Sequence, residues 1–154
     1  TEVLVLANKL KANELIEWAE EELGGFIEKD KLPNYRKGKS DVKGNFLGYR
    51  GERLNNYSLP LNNLSQQIGR DLNDQPIWYG IKSIESLLDS KEGFFSNPWP
   101  SDLLLPISES LITNYVCINA WWVIPRGRLE QILDDIKNKL LKFLLKSFSK
   151  LSFE

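Results

Sequence analysis

The chain has 154 residues, 42% hydrophobic and 27% charged, with a net charge of −1. That is the size of one domain with apolar content enough for a core, which excludes wholesale disorder and any global field recruiting nucleic acid or anionic membrane. A single cysteine, Cys117, rules out an internal disulfide and fits a reducing, cytoplasmic setting.

From the N-terminus, Val3, Leu4, Ala7 and Leu10 have helical spacing and predict a first short helix. Asn13 is a candidate N-cap for a second, with Leu15, Trp18, Ala19 and Leu23 as its stripe and Gly24-Gly25 as its stop. Beyond Lys29, Pro33, Gly38, Gly44, Gly48 and Gly51 forbid a propagating helix. Val42, Phe46 and Tyr49, then Leu54, Tyr57 and Leu59, predict a β-hairpin over Asp41–Tyr49 and Glu52–Leu59, turning at Arg50-Gly51. Asn62 or Asn63 can cap a helix carrying Leu64, Ile68 and Leu72. Pro76 suits the first turn of the next, with Ile77, Ile81, Ile84, Leu87 and Leu88 as its stripe. Ser96 to Pro100, with two prolines, reads as a loop. Tyr115 to Ile124 is β-branched and aromatic, a strand that could join the hairpin. Pro125 opens the longest helix, to about Leu151, on a stripe from Leu129 and Ile132 to Phe148. The sum is a single α+β domain, residues 1–154. It is mostly helical, about five helices with a small antiparallel sheet of hairpin plus one strand, the last helix being the central packing element.

The chemistry is bounded by absences. There is no histidine, hence no imidazole base or ligand, and one cysteine cannot build a zinc site. Neither a signal peptide nor an apolar run of membrane-spanning length is visible. The chain also lacks methionine, which predicts a processed product or a fragment. Glu17, Glu20, Glu21 and Glu22 could hold a divalent metal, but a solvated helix face is the stronger reading. Lys139, Lys142, Lys146 and Lys150 form a row without interleaved aromatics, again a solvated face. Trp121 and Trp122 must point to opposite sides of a strand, one of them into the core. Cys117 reads as a small buried hydrophobe. Tyr35, Arg36, Arg50 and Arg53 gather in the glycine-rich middle, where guanidinium and phenol groups could read a nucleotide or a carboxylate; they are the candidate ligand-binding residues, against the blander reading that these arginines tie loops down to carbonyls. Leu140, Leu141, Phe143, Leu144 and Leu145 cover nearly every direction of the last helix. That predicts an interaction surface through Leu141, Leu145 and Phe148.

The run Leu6-Ala7, Leu15, Trp18-Ala19, Glu22-Leu23-Gly24-Gly25-Phe26 and Leu32-Pro33-Asn34-Tyr35-Arg36 resembles the start of the AbiTii domain family. Leu129 to Leu145 resembles its C-terminal helix. The resemblance implies a part in bacterial antiphage defence (abortive infection), often as a module, here an N-terminal one, of a longer protein. It carries no catalytic residues, no metal and no cofactor. Phe26 stands where the family has tyrosine, and the hairpin and Trp121-Trp122 lie outside its pattern. The expected function is a non-enzymatic sensing and self-association module whose partners are a second copy or an adjoining effector domain. The rivals are a toxin-like effector acting on nucleic acid and a generic protein–protein adaptor.

Overall fold

A computed structural model describes the backbone of residues 2–27 and 31–151, and the side-chain surroundings of residues 13–27 and 31–146. Its elements are α1 (Glu2–Gly24), β1 (Asp41–Gly48), β2 (Arg53–Ser58), α2 (Asn62–Ile68), α3 (Ile81–Leu88), β3 (Phe94–Pro98), α4 (Ser101–Leu104), β4 (Tyr115–Pro125) and α5 (Arg126–Leu151), with short 3-10 turns at Asn34–Arg36 and Leu105–Ile107. The class is α+β, as expected; among the described residues there are five helices, a four-stranded antiparallel sheet, and helix over only 45% of the chain. The chain is therefore less helical than its sequence pattern predicts, and the sheet adds β3 to the expected hairpin and third strand. The chain divides into two compact units.

The first unit comprises Thr1–Arg36, Ile77–Lys91 and Glu130–Glu154. Its α1 is one continuous helix rather than two, because neither proline nor glycine interrupts the chain before Gly24 and Asn13 has no break to cap. The stripe expected of Val3 to Leu10 lies outside the described side chains. Gly25 closes the helix at φ +94°, its N–H donating to Glu21 O at 2.8 Å. Pro76 does not open α3. Residues 77–79 stay outside regular structure, with Ile77 N donating to Arg36 O and Phe26 N to Trp78 O, and the helix begins only after Gly80. Phe26, Leu32, Ile77, Ile84, Ile132 and Ile136 are its buried apolar side chains.

The second unit, Lys37–Pro76 and Glu92–Leu129, holds the whole sheet. The strand order is β2-β1-β4-β3, every pair antiparallel, so β4 is central and β2 and β3 are edges. The predicted hairpin is present. β3 runs through the stretch expected to be a loop; an edge strand tolerates Pro98 because its outer N–H positions need no partner. A bulge sits where Asn45 gives way to Phe46. Val42, Phe46, Cys117, Ala120, Leu59, Leu61, Leu72, Trp99, Leu104 and Ile107 form one core cluster on one side of the sheet. Trp122 packs on that cluster, its indole N–H donating to Leu72 O at 3.0 Å and its ring 5.4 Å from that of Trp99. Gly44 is required there, since a Cβ would come 2.6 Å from Asn119 O.

Gly80 is the tightest backbone approach of the first unit: a Cβ would collide with the carbonyl of Leu23 and reach 3.0 Å from Gly25 N. Gly80→Ala is expected to lower stability by about 1–3 kcal/mol in urea unfolding, because the obstacle is backbone and cannot rotate away. Gly93→Ala, with nothing within 4 Å, is the control and should shift stability by less than about 0.5 kcal/mol.

Candidate functional site

Helical spacing puts Trp18 and Glu22, four apart, on one side of α1. Their partners come from the 3-10 turn at Asn34–Arg36. Arg36 is fully buried, and its Nε and Nη2 donate to Glu22 Oε2 at 2.9 and 2.5 Å. Nη1 donates to the carbonyls of Ile77 at 3.1 Å and Tyr79 at 2.5 Å, and the guanidinium lies 4.9 Å from the Phe26 ring centre. Tyr35 O–H donates to the other oxygen of Glu22, and Trp18 Nε1 donates to Tyr35 Oη at 3.3 Å. Burial, then the bond to Glu22, holds the Tyr35 phenol well above its ordinary pKa. Lys139 sits 5.0 Å from the ring centre of Trp18.

Tyr35 and Arg36, expected to face a ligand, instead face Glu22, and the guanidinium is spent on the protein's own carboxylate and carbonyls. Glu22 likewise leaves the solvated acidic face on which it was placed: it is 1% exposed. Glu17 and Glu20 remain exposed, and Glu21 reaches Lys31 at 3.8 Å. Among the described residues no three Asp, Glu or Cys side chains come together as metal ligands. The signal for the buried pair was present in the sequence, an arginine and a glutamate flanking Gly24-Gly25, but spacing cannot say which of four glutamates turns inward.

Arg50 and Arg53 lie in the second unit. The hairpin end is held by Gly48 N to Glu52 O at 2.7 Å and Tyr49 N to Asn114 O at 3.1 Å, and Glu52 Oε2 accepts from the Arg50 backbone N–H at 3.3 Å. Tyr49, Arg50, Glu52, Thr113, Asn114 and Tyr115 line an open cleft of about 540 Å³ there. Its lining combines one guanidinium, one carboxylate (Glu52) and two phenols, a set suited to a planar polar group. Arg53 is exposed on β2.

Three features escaped the sequence reading. Arg128 donates to Ser40 Oγ at 2.9 Å and to Gln75 O, tying the segments either side of the hairpin, and burial lowers its pKa. Lys39 and Asp71 pair at 2.7 Å, and this pairing raises the pKa of one and lowers that of the other. Around them a cleft of about 680 Å³ opens, lined among others by Asp41, Asn62, Gln66, Asn73, Phe94 and Val123. These residues are distant in sequence and carry no motif.

On α5 the apolar surface continues past the core. Ile132 and Ile136 are buried, but Leu140, Leu141, Leu144 and Leu145 are 39, 50, 40 and 67% exposed. Phe148 lies outside the described side chains. No helix among the described residues is long and apolar enough to cross a membrane. Cys117 is buried with its Sγ against Asn119 O at 3.3 Å, and burial pushes its thiol up to about 11.

A family model described as AbiTii matches residues 2–147. No curated protein and no solved structure matches the chain.

Two outcomes are expected from these interactions. Glu22→Ala or Arg36→Ala should each cost about 3–5 kcal/mol, since either strands a buried charge, and the double variant should cost less than their sum. Urea midpoints of the three variants measure this. For Cys117 the folded pKa lies above the ordinary thiol value of 9.0, so its contribution is complete below pH 9 and is lost between pH 9 and about 11. Cys117→Ala should show a shallower decline of stability over that window in chemical denaturation series.

Proposed function

The chain belongs to the AbiTii family, and on that premise we propose that it is a non-enzymatic, self-associating module of a cytoplasmic bacterial antiphage defence protein. One observation carries the self-association: the four adjacent leucines of α5 left open to solvent. Residues four apart share a helix face, so Leu140 with Leu144 and Leu141 with Leu145 make one continuous apolar stripe. Leucines scattered singly on a surface need no explanation, but a contiguous set of this kind marks an interaction site. A self-complementary helix face is most simply satisfied by a second copy across a two-fold axis, and an adjoining effector domain would use the same stripe.

The sensing half of this reading rests on the hairpin end, where Arg50 stands with Tyr49 and Tyr115 in an open cleft. Support for a non-enzymatic role comes from the state of the one thiol. Cys117 is buried and its pKa raised, the reverse of an activated nucleophile, and the chain has no histidine to act as its base.

Sedimentation velocity at micromolar concentration tests the assembly. The wild-type chain is expected to sediment as a dimer or larger species, and Leu141→Glu with Leu145→Glu as a monomer. Because both leucines are half-exposed or more, the double variant should keep its circular dichroism and lose less than about 1 kcal/mol of stability, two surface changes at about 0.5 each. A strictly monomeric wild type, or a double variant that unfolds, would refute the proposal.

A further inference from the structure

The sheet of the second unit is one-sided. Directly opposed residues in an antiparallel pair share a face, so the register lists what each side carries. One face holds Val42, Gly44, Phe46, Ala120, Cys117, Phe95 and Ile124, all buried. The other, row by row, carries Phe94 with Pro125; Ser96, Val123 and Asp41; Pro98, Trp121, Lys43 and Ser58; Asn45 with Asn119; and, beyond the bulge, Val116, Leu47 and Arg53. None of the residues in those rows is buried, and Phe94 is 64% exposed. An aromatic ring left that open on an edge strand is costly in water and calls for a partner with a flat apolar surface.

We infer that this open face binds single-stranded nucleic acid, with bases stacked on Phe94 and Trp121 and phosphates held by Lys43 and Arg53. Two aromatics and two cations on one sheet face are the combination that non-specific single-strand binders use: π-faces accept any base, while cations track the backbone. Phe94 and Trp121 are two rows apart, about 13 Å along the strands, which leaves room for successive unstacked bases. The cleft of about 680 Å³ lies at the Phe94 end of the same face. There the Asp41 carboxylate and the amides of Asn62 and Gln66 border the ring. A carboxylate accepts base N–H groups, and an amide both donates and accepts, so this end suits a base edge rather than a phosphate. The net charge of −1 does not oppose the reading, because both cations stand on this face and Asp41 is the one acid in the rows named.

The inference is independent of assembly through α5, and the experiment keeps them apart. Fluorescence anisotropy with labelled oligothymidylate and oligouridylate of about 20 nucleotides is run at 50 mM salt on the wild-type chain and on the Leu141→Glu, Leu145→Glu chain. Saturable binding is expected in both. Two phosphate contacts predict a salt slope near 1.4, so affinity should fall about sevenfold between 50 and 200 mM salt. Phe94→Ala should weaken binding about tenfold or more, as loss of a stacked base does. Arg53→Glu with Lys43→Glu should weaken it further and flatten the salt dependence, whereas Lys82→Glu on α3 should leave it unchanged. A duplex of the same length should bind more weakly than either single strand. Since Phe94 and Arg53 are exposed, circular dichroism should be unaltered in these variants. Absence of binding to either oligonucleotide up to about 100 μM, the weak end of non-specific affinities, overturns the inference. So does wild-type affinity in Phe94→Ala or in the double charge reversal.

Discussion

Arg36 donates to two segments far from each other in the chain: to Glu22 on α1, and to the carbonyls of Ile77 and Tyr79 ahead of α3. An isolated guanidinium taken out of water would be prohibitively expensive. Glu22 makes its burial tolerable, and the carbonyl acceptors take up the donors that a carboxylate cannot reach. The pair need not add net stability over a well-packed apolar pair of equal volume. What it adds is geometry, because a planar fork with fixed N–H directions accepts only one arrangement of its acceptors. The first unit shows that arrangement around it. Residues 77–79 are held too close to the end of α1 for any side chain at Gly80, Gly25 takes a positive φ, and Phe26 lies against the cation.

The second unit depends on a different constraint, the asymmetry of its sheet. β4 is paired on both sides, so its alternation decides what both faces hold. Ala120 and Cys117 are small and let the core cluster close over β1, while Trp121, opposite Lys43, goes to the other side with Val123 and Val116. Gly44 allows β1 and β4 to approach at the bulge, and the bulge lets Phe46 stay inward across an irregular register. Antiparallel sheets readily leave one face to water. Here that face is unusual in what it exposes, an aromatic edge at Phe94 rather than a polar carpet.

Both surfaces read as functional are therefore places where packing stops short of the apolar content available. On α5 the buried stripe ends at Ile136 and the leucines continue for two more turns. On the sheet the core lies to one side and aromatics stand on the other. Each of these surfaces can be occupied without disturbing the core of its own unit.

The sequence by itself determined the α+β class, the hairpin, the strand around Cys117, the long last helix, and family membership. Each is written locally, in Gly24-Gly25, in the turn at Arg50-Gly51, in the β-branched run around Cys117, and in the 3–4 leucine spacing. It also required Trp121 and Trp122 to part, because alternation on a strand is a covalent fact. Tertiary structure alone decided which glutamate of α1 would turn inward, since four at helical spacing look alike until an arginine from another segment chooses one. It decided that Ser96 to Pro98 would be a strand, because a proline-bearing segment becomes one only when β4 offers it an edge. It decided where Arg50 and Arg53 stand, one in the cleft at the hairpin end and the other on the open face with Lys43. Register across strands fixes such neighbourhoods, and register is set by pairings between residues far apart in the chain.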